Sequence, residues 1–232
     1  MFQDTATFGP GETNETSLTS DGGNDIFVAK YNADGTLAWA VKAGGKSYER
    51  SIAVSTLDDG SALDTGSIEG TAVFGAGEAD ETSLVPDGIV DLIVAKYNPN
   101  GSLAWVVRAG GSNEDISSGT AVSTLNDGSA LVTGSFEGMT TLGQGEANET
   151  TLTAAGRDAF VAKYNADGTL AWADRAGGVS FDFSHGISTL DDGSALITGT
   201  FQDTAAFGQG ETNEVTLTSD GEYDIFVAKY NP

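Results

Sequence analysis

Asp25-Ile-Phe-Val-Ala-Lys-Tyr-Asn32 returns three times, as Asp91-Leu-Ile-Val-Ala-Lys-Tyr-Asn98, Asp158-Ala-Phe-Val-Ala-Lys-Tyr-Asn165 and Asp224-Ile-Phe-Val-Ala-Lys-Tyr-Asn231. The four Asp positions are spaced by 66, 67 and 66 residues. A fixed period of this length is the mark of a repeat architecture. Each octapeptide reads as a β-strand. Side chains alternate across a strand, so Phe27, Ala29 and Tyr31 share one face and Ile26, Val28 and Lys30 the other. Both faces are largely apolar, as a strand needs when sheets pack on both of its sides. Lys30 can lay its methylenes along the core and carry its ammonium outward.

Working outward, Asn32-Ala-Asp-Gly35 is a hairpin turn, because Asn, Asp and Gly tolerate left-handed backbone. A second strand follows at Leu37–Val41, with counterparts at Leu103–Val107 and Leu170–Ala173. Its Trp39 recurs as Trp105 and Trp172 and is read as a packing layer. The pairs Gly44-Gly45, Gly110-Gly111 and Gly177-Gly178 are read as the start of a variable loop. A third strand is expected at Ile52–Thr56, Thr120–Thr124 and Gly186–Thr189. The turns Asp58-Asp-Gly60, Asn126-Asp-Gly128 and Asp191-Asp-Gly193 lead into a fourth at Ser61–Gly66, Ser129–Gly134 and Ser194–Gly199. Ahead of the octapeptide lies an acidic excursion between two short β segments. Its loops are Gly11–Thr16, Gly77–Thr82, Gly145–Thr150 and Gly210–Val215.

Aligned on Phe2, the copies are 2–67, 68–135, 136–200 and a partial 201–232, one repeat domain throughout. No segment shows a sustained helical period. Even spacing of short strands joined by Gly/Asn/Asp turns predicts an all-β fold: a β-propeller of four-stranded blades, with a β-solenoid as the runner-up. The recurring Phe27, Tyr31, Trp39, Ile93, Tyr97, Trp105, Phe160, Tyr164, Trp172, Phe226 and Tyr230 form the expected repeat core.

Composition bounds the function. The 232 residues are 39% hydrophobic and include 34 acidic and 10 basic side chains, for a net charge of −24. Nucleic acid is a poor partner for so acidic a chain, because phosphate binding relies on basic side chains. There is no cysteine, which rules out disulfides and thiolate zinc sites. No run reaches transmembrane length, so membrane insertion is not expected. Phe2–Gly9 recurs as Phe201–Gly208 and no leader precedes it, so the chain reads as beginning mid-repeat, like an excised fragment or an engineered chain.

The pattern Asp-x-Phe-Val-Ala-Lys-Tyr-Asn-x-Asp-Gly-x-Leu-x-Trp at Asp25–Trp39 and Asp158–Trp172, with the double glycine, Ile52–Val54 and Ser194–Gly199, resembles the bacterial β-propeller repeat called SBBP. That repeat occurs in large secreted and cell-surface proteins. The resemblance implies that Ile52-Ala-Val54 is the innermost strand and Ser61–Gly66 the second. The Phe-Val-Ala-Lys-Tyr strand is then third and the Trp strand outermost. It also implies an extracellular or bacterial cell-surface location. Two features depart from the pattern: a longer acidic excursion, and three and a half copies where propellers typically have about 4–8 blades. An open arc, a ring closed by oligomerisation, a filament, or further blades of a longer parent chain each accommodate that number.

The acidic loops offer Glu12, Asn14 and Glu15; Glu78, Asp80 and Glu81; Glu146, Asn148 and Glu149; and Glu211, Asn213 and Glu214. Calcium takes about six to eight oxygen ligands, so one loop would need neighbours or water to complete a shell. The alternative is a solvated surface loop. Asp34 and Asp167 are read as turn residues because Asn100 replaces them in the second copy. Asp25 and its equivalents are read as capping nearby backbone. His185 is the single histidine and has no repeated partner; its nearest counterparts are read as Ala53 and Thr120 or Ala121. Asn14-Glu-Thr16 and Asn148-Glu-Thr150 match the glycosylation sequon. The reading is a non-enzymatic scaffold with structural, adhesive or self-assembly roles, contacting a surface protein, a glycan or its own copies, with no required cofactor. A calcium-dependent protein- or glycan-binding module is the alternative. A glycoside hydrolase using dispersed carboxylates is a third.

Overall fold

The computed structural model describes residues 1–111 and 116–231. The loop expected after Gly110-Gly111 falls largely outside the described residues, as does Pro232. Among the described residues there is no helix, and 19 strands follow one another. The first group is β1 (Thr5–Phe8), β2 (Thr16–Thr19), β3 (Ile26–Tyr31) and β4 (Leu37–Gly45). Next come β5 (Glu49–Thr56), β6 (Ala62–Ile68), β7 (Ala72–Phe74), β8 (Thr82–Leu84), β9 (Asp91–Tyr97) and β10 (Leu103–Ala109). The third group is β11 (Ile116–Thr124), β12 (Ala130–Leu142), β13 (Thr150–Tyr164) and β14 (Leu170–Gly178). The last is β15 (Phe183–Thr189), β16 (Ala195–Phe201), β17 (Thr204–Phe207), β18 (Val215–Thr218) and β19 (Asp224–Tyr230).

The strands form several antiparallel sheets, consistent with a β-propeller. The order β5-β6-β9-β10 recurs as β11-β12-β13-β14, and β15-β16-β19 repeats its first three positions. This is the order that the resemblance implies. Among the described residues every pair of named strands is antiparallel, with one isolated parallel bridge between Arg157 and Phe181, and the coiled parallel sheets of a solenoid are not formed among them.

The octapeptide strand works through both its faces. Ile26 and Val28 pack against Ile93, Ala95 and Tyr97 of the following sheet. Leu92 and Val94 pack in turn against Phe160, Ala162 and Tyr164. Ala159 and Val161 meet Phe226, Ala228 and Tyr230. One alternating strand thus supplies both sides of two successive sheet contacts, and burial of that apolar area is the main force joining the sheets. At the two ends the pattern is incomplete: Tyr31 is 52% exposed, and Ile225 and Val227 are 80% and 66% exposed. The expected repeat core is therefore buried at Ile93, Tyr97, Phe160, Tyr164 and Phe226, and only half-buried at Phe27 and Tyr230.

The tryptophans pack as expected, each half-buried against one of the three core clusters, and they also reach across to the next sheet. Trp39 Nε1 donates to the Pro99 carbonyl at 2.9 Å, and Trp105 Nε1 to the Ala166 carbonyl at 3.0 Å. Gly101 and Gly168 lie under these rings with φ of 91° and 89°. Glycine is needed there for the backbone and for the space. Trp172 stacks on Tyr230, with ring centroids 6.4 Å apart.

A second row of contacts joins β5, β11 and β15, the first strands of three successive sheets. Ser55 and Thr124 hydroxyls lie 3.1 Å apart, and Ser123 and Thr189 hydroxyls 3.0 Å apart. Each of β5, β11 and β15 also carries a bulge at one place, where Ile52, Thr120 and His185 are the extra residues. In the first copy this corrects the counterpart of His185 from Ala53 to Ile52, and in the second it selects Thr120 over Ala121, because a bulge shifts pairing by one residue.

The double glycines are also corrected. In the first and third copies they end the outer strand rather than begin a loop; in the second, β10 ends at Ala109 and Gly110 makes an isolated bridge to Thr141. Gly44 and Gly45 pair with Val73 and Ala72 of β7, and Gly177 and Gly178 pair with Ala206 and Ala205 of β17. The hairpin β7–β8 lies in the chain between β6 and β9 of one sheet, yet it hydrogen-bonds to β4 of the sheet before. A β-carbon on Gly45 would collide with the Thr71 carbonyl oxygen, and one on Gly178 with that of Thr204.

Candidate functional site

Two kinds of polar group recur at the junctions between sheets. The first is the acidic loop. Glu12 Oε2 accepts the Leu37 N–H at 2.6 Å, Glu78 Oε2 that of Leu103 at 2.7 Å, and Glu146 Oε2 that of Leu170 at 2.6 Å. Asn14 and Asn148 Nδ2 donate to the Leu37 and Leu170 carbonyls, both at 3.2 Å. Glu15, Glu81, Glu149 and Glu214 close their own loops by accepting the N–H of Gly11, Gly77, Gly145 and Gly210. Asp80 contributes its backbone carbonyl to the Thr82 hydroxyl.

The loop residues expected as metal ligands thus act as backbone acceptors and donors within their own hairpins and on the outer strand. A carboxylate satisfying a strand-end N–H is a strong charge-assisted contact. No group of three or more His, Cys, Asp or Glu side chains suited to a metal ion occurs among the described residues. In the fourth copy, Glu211 and Asn213 reach no such outer-strand partner.

The second kind of group is the Asp that opens each octapeptide. Asp25, Asp91 and Asp158 are fully buried. Asp25 Oδ2 accepts the Asp21 N–H at 3.2 Å and lies 3.5 Å from Lys42 Nζ. Asp91 Oδ2 accepts the Asp87 N–H at 3.0 Å and pairs with Arg108 at 2.6 Å. Asp158 Oδ2 pairs with Arg175. The capping role expected of these residues is present at Asp25 and Asp91, and at all three aspartates a basic partner from the outer strand is added. The Oδ1 atoms of all three are buried without a partner. Burial raises each pKa above its ordinary value, that of Asp158 to about 6. The glycines explain how the carboxyl fits: a β-carbon on Gly44, Gly110 or Gly177 would strike the Asp carboxyl group.

Three further buried acids lie outside the residues singled out from the sequence. Glu49 and Asp182 accept the N–H of Gly45 and Gly178, at 2.9 and 2.8 Å. They occur in a stretch read as a variable loop. Burial pushes Glu49 up to about 7. Asp64 lies inside β6 at 0% exposure, hydrogen-bonded to the Ser51 hydroxyl, with Oδ2 unpartnered. Its counterparts are Val132 and Ile197, so comparison of the copies does single it out. Asp34, Asn100 and Asp167 instead accept N–H groups two residues ahead, as turn residues do. His185 is exposed, and its Nε2 lies 3.1 Å from the Thr200 hydroxyl.

With that geometry in hand, one family match bears on it. A model described as a β-propeller domain of unknown function, DUF5122, matches residues 15–37. The matched stretch runs from the acidic loop through β2, β3 and the Asn32–Gly35 turn to the start of β4. It includes Glu15 and Leu37, the latter an anchor point of the loop on the outer strand. The match supports a β-propeller repeat and does not single out SBBP. No curated protein matches the chain.

Proposed function

We propose that the chain is a non-enzymatic β-propeller scaffold of an extracellular or bacterial cell-surface protein. Its sheets serve as blades of about 66 residues, and its acidic hairpins fasten each blade to the one before. The observation that carries this reading is that equivalent residues do the same work in the three copies whose octapeptide strand is followed by an outer strand. Glu12, Glu78 and Glu146 all accept the N–H of an outer-strand leucine. Catalysis needs unlike groups converging on one reacting atom; here like groups are distributed along a row. The strand order β5-β6-β9-β10 supports the SBBP resemblance, and the strong negative charge keeps such a surface soluble and exposed to solvent.

Electron microscopy of the purified chain, with an activity screen on a glycan panel, tests the proposal. Stacked sheets as a ring, arc or fibre without turnover are expected. Turnover abolished by a single carboxylate substitution would replace the scaffold with an enzyme. Calcium titration by calorimetry is expected to release no heat, since the loop carboxylates already bind backbone N–H groups. Heat together with a raised melting temperature would make the loops a calcium site instead.

A further inference from the structure

Asp25 and Glu49 each keep one carboxyl oxygen that no hydrogen bond uses. Both side chains are fully buried. Asp25 Oδ2 accepts the Asp21 N–H and Glu49 Oε2 the Gly45 N–H, while Asp25 Oδ1 and Glu49 Oε1 have no partner among the described residues. The two acids approach each other across the double glycine. An ideal β-carbon on Gly44 would stand 2.5 Å from Asp25 Cγ, and the next residue, Gly45, is the one that Glu49 binds. Burial first, and then the Asp25 charge, raise the Glu49 pKa to about 7. At neutral pH Glu49 can therefore both give and take a proton.

The third member is Lys42. In β4 it lies opposite Phe27 of β3, so its side chain shares a face with that of Asp25. Lys42 Nζ donates to the Thr19 carbonyl at 2.7 Å and to the Asp21 carboxylate at 2.6 Å, and it lies 3.5 Å from Asp25 Oδ2. The second and third copies place Arg108 and Arg175 here instead, each paired with the corresponding Asp. A guanidinium stays charged, whereas a lysine amine can act as a nucleophile. Among the described residues, only the first copy combines the buried Asp with a lysine and a second buried acid.

We propose that Asp25 and Lys42 condense to an intramolecular amide, Cγ to Nζ, with Glu49 carrying the protons. The reactants are the ion pair itself. A proton passes from the Lys42 ammonium to the Asp25 carboxylate, leaving an amine and a carboxylic acid. Burial, which raises the Asp25 pKa, favours that neutral pair over two charges. Nζ then attacks Asp25 Cγ and the C–N bond forms. The Glu49 carboxylic acid protonates the departing hydroxyl, which leaves as water, and the Glu49 carboxylate takes a proton back from Nζ. One ammonium and one carboxylate become one amide and one water, so no oxidant, reductant or activated co-reactant takes part. Holding the groups side by side makes the condensation intramolecular, and a buried site keeps out the water that would reverse it. The bond staples β4 to β3 and restricts the unfolded chain as other cross-links do.

Intact-mass spectrometry of the denatured 232-residue chain tests the bond. The parent should be lighter than its sequence by one water. Trypsin should release residues 1–30 joined to residues 31–46, uncut after Lys42. Lys42→Arg installs the residue of the second and third copies, so it should fold, and it should show its full sequence mass. Glu49→Gln keeps the shape of the side chain and should close the bond about 100-fold more slowly, the lower end of what a positioned acid–base group contributes. A cooperative thermal melt checks that both variants fold. A folded parent that stays at full sequence mass through prolonged incubation at neutral pH overturns the inference. So does a missing water that persists in Lys42→Arg or lies outside the joined fragments, because it then marks a cyclisation elsewhere. Closure at the parent's rate in Glu49→Gln overturns the part given to Glu49. The bond does not rest on the scaffold reading: glycan turnover with the water missing removes only the scaffold, and stacked-sheet particles at full mass remove only the bond.

Discussion

Asp64 offers the sharpest test of the packing described above. Its side chain lies in β6 at 0% exposure, in the position that Val132 and Ile197 fill in the neighbouring sheets. One oxygen accepts the Ser51 hydroxyl, and the other has no partner. Burial pushes its pKa from 3.8 to about 7. The folded chain therefore holds the Asp64 proton more tightly than the unfolded chain does. Stability falls as pH rises through the interval between those values, and the full penalty is present above about pH 7. At about 1.4 kcal/mol per pH unit the penalty is on the order of 4 kcal/mol, a large share of a typical folding stability of about 5–15 kcal/mol. Asp64→Asn removes the charge while keeping the shape, and Asp64→Val installs the residue of the third sheet. Urea unfolding of the parent and both variants at pH 8 and pH 4 measures the effect. Both variants should be more stable than the parent at pH 8, and the Asn advantage should shrink to under about 1 kcal/mol near pH 4. An Asn variant whose advantage does not change with pH, or that is less stable at pH 8, would refute the reasoning.

Three other perturbations probe the junctions. Glu78→Ala leaves the Leu103 N–H without its 2.7 Å acceptor and should cost about 1–3 kcal/mol in urea unfolding. Glu211→Ala, which loses no such bond, should stay within about 0.5 kcal/mol of the parent. Gly45→Ala forces a β-carbon onto the Thr71 carbonyl. It should lower the melting temperature well beyond the change for Gly11→Ala, where the residue has φ of 83° but open space around it. Trp105→Phe keeps a ring over Gly168 but loses the 3.0 Å bond to the Ala166 carbonyl. About 1 kcal/mol of destabilisation is expected, and Trp105→Leu, which also loses the aromatic contact, should exceed it.

The identity of the candidate site was only partly legible before the strands were placed. Glu12, Asn14 and Glu15 stood out because they recur, and recurrence of acids suggested a cation. Glu15 closes its own loop on the Gly11 N–H, but the partners of Glu12 and Asn14, the N–H and carbonyl of Leu37, lie more than twenty residues away across a hairpin. Nothing in the loop's own sequence names them. His185 was misaligned by one residue against the first copy, and left between Thr120 and Ala121 in the second, because a bulge leaves no trace in the spacing of the copies. Asp64 was readable as the odd member of a Val/Ile position. Its burial, and hence its pKa, depended on which face of β6 met another sheet.

What the sequence by itself determined is local. Alternation of Ile26 through Tyr31 made a strand with two apolar faces, and Asn32–Gly35 made the turn, because both follow from backbone preferences within a few residues. The period told how often each unit returns. Only the tertiary structure decided how the units grip each other. The hairpin β7–β8 crosses to the sheet before its own, Gly44-Gly45 and Gly177-Gly178 end strands where carbonyls and carboxylates come too near for a β-carbon, and Glu12, Glu78 and Glu146 each reach the N–H of an outer-strand leucine. These depend on distances between segments far apart in the chain, which are set by packing whole sheets face to face.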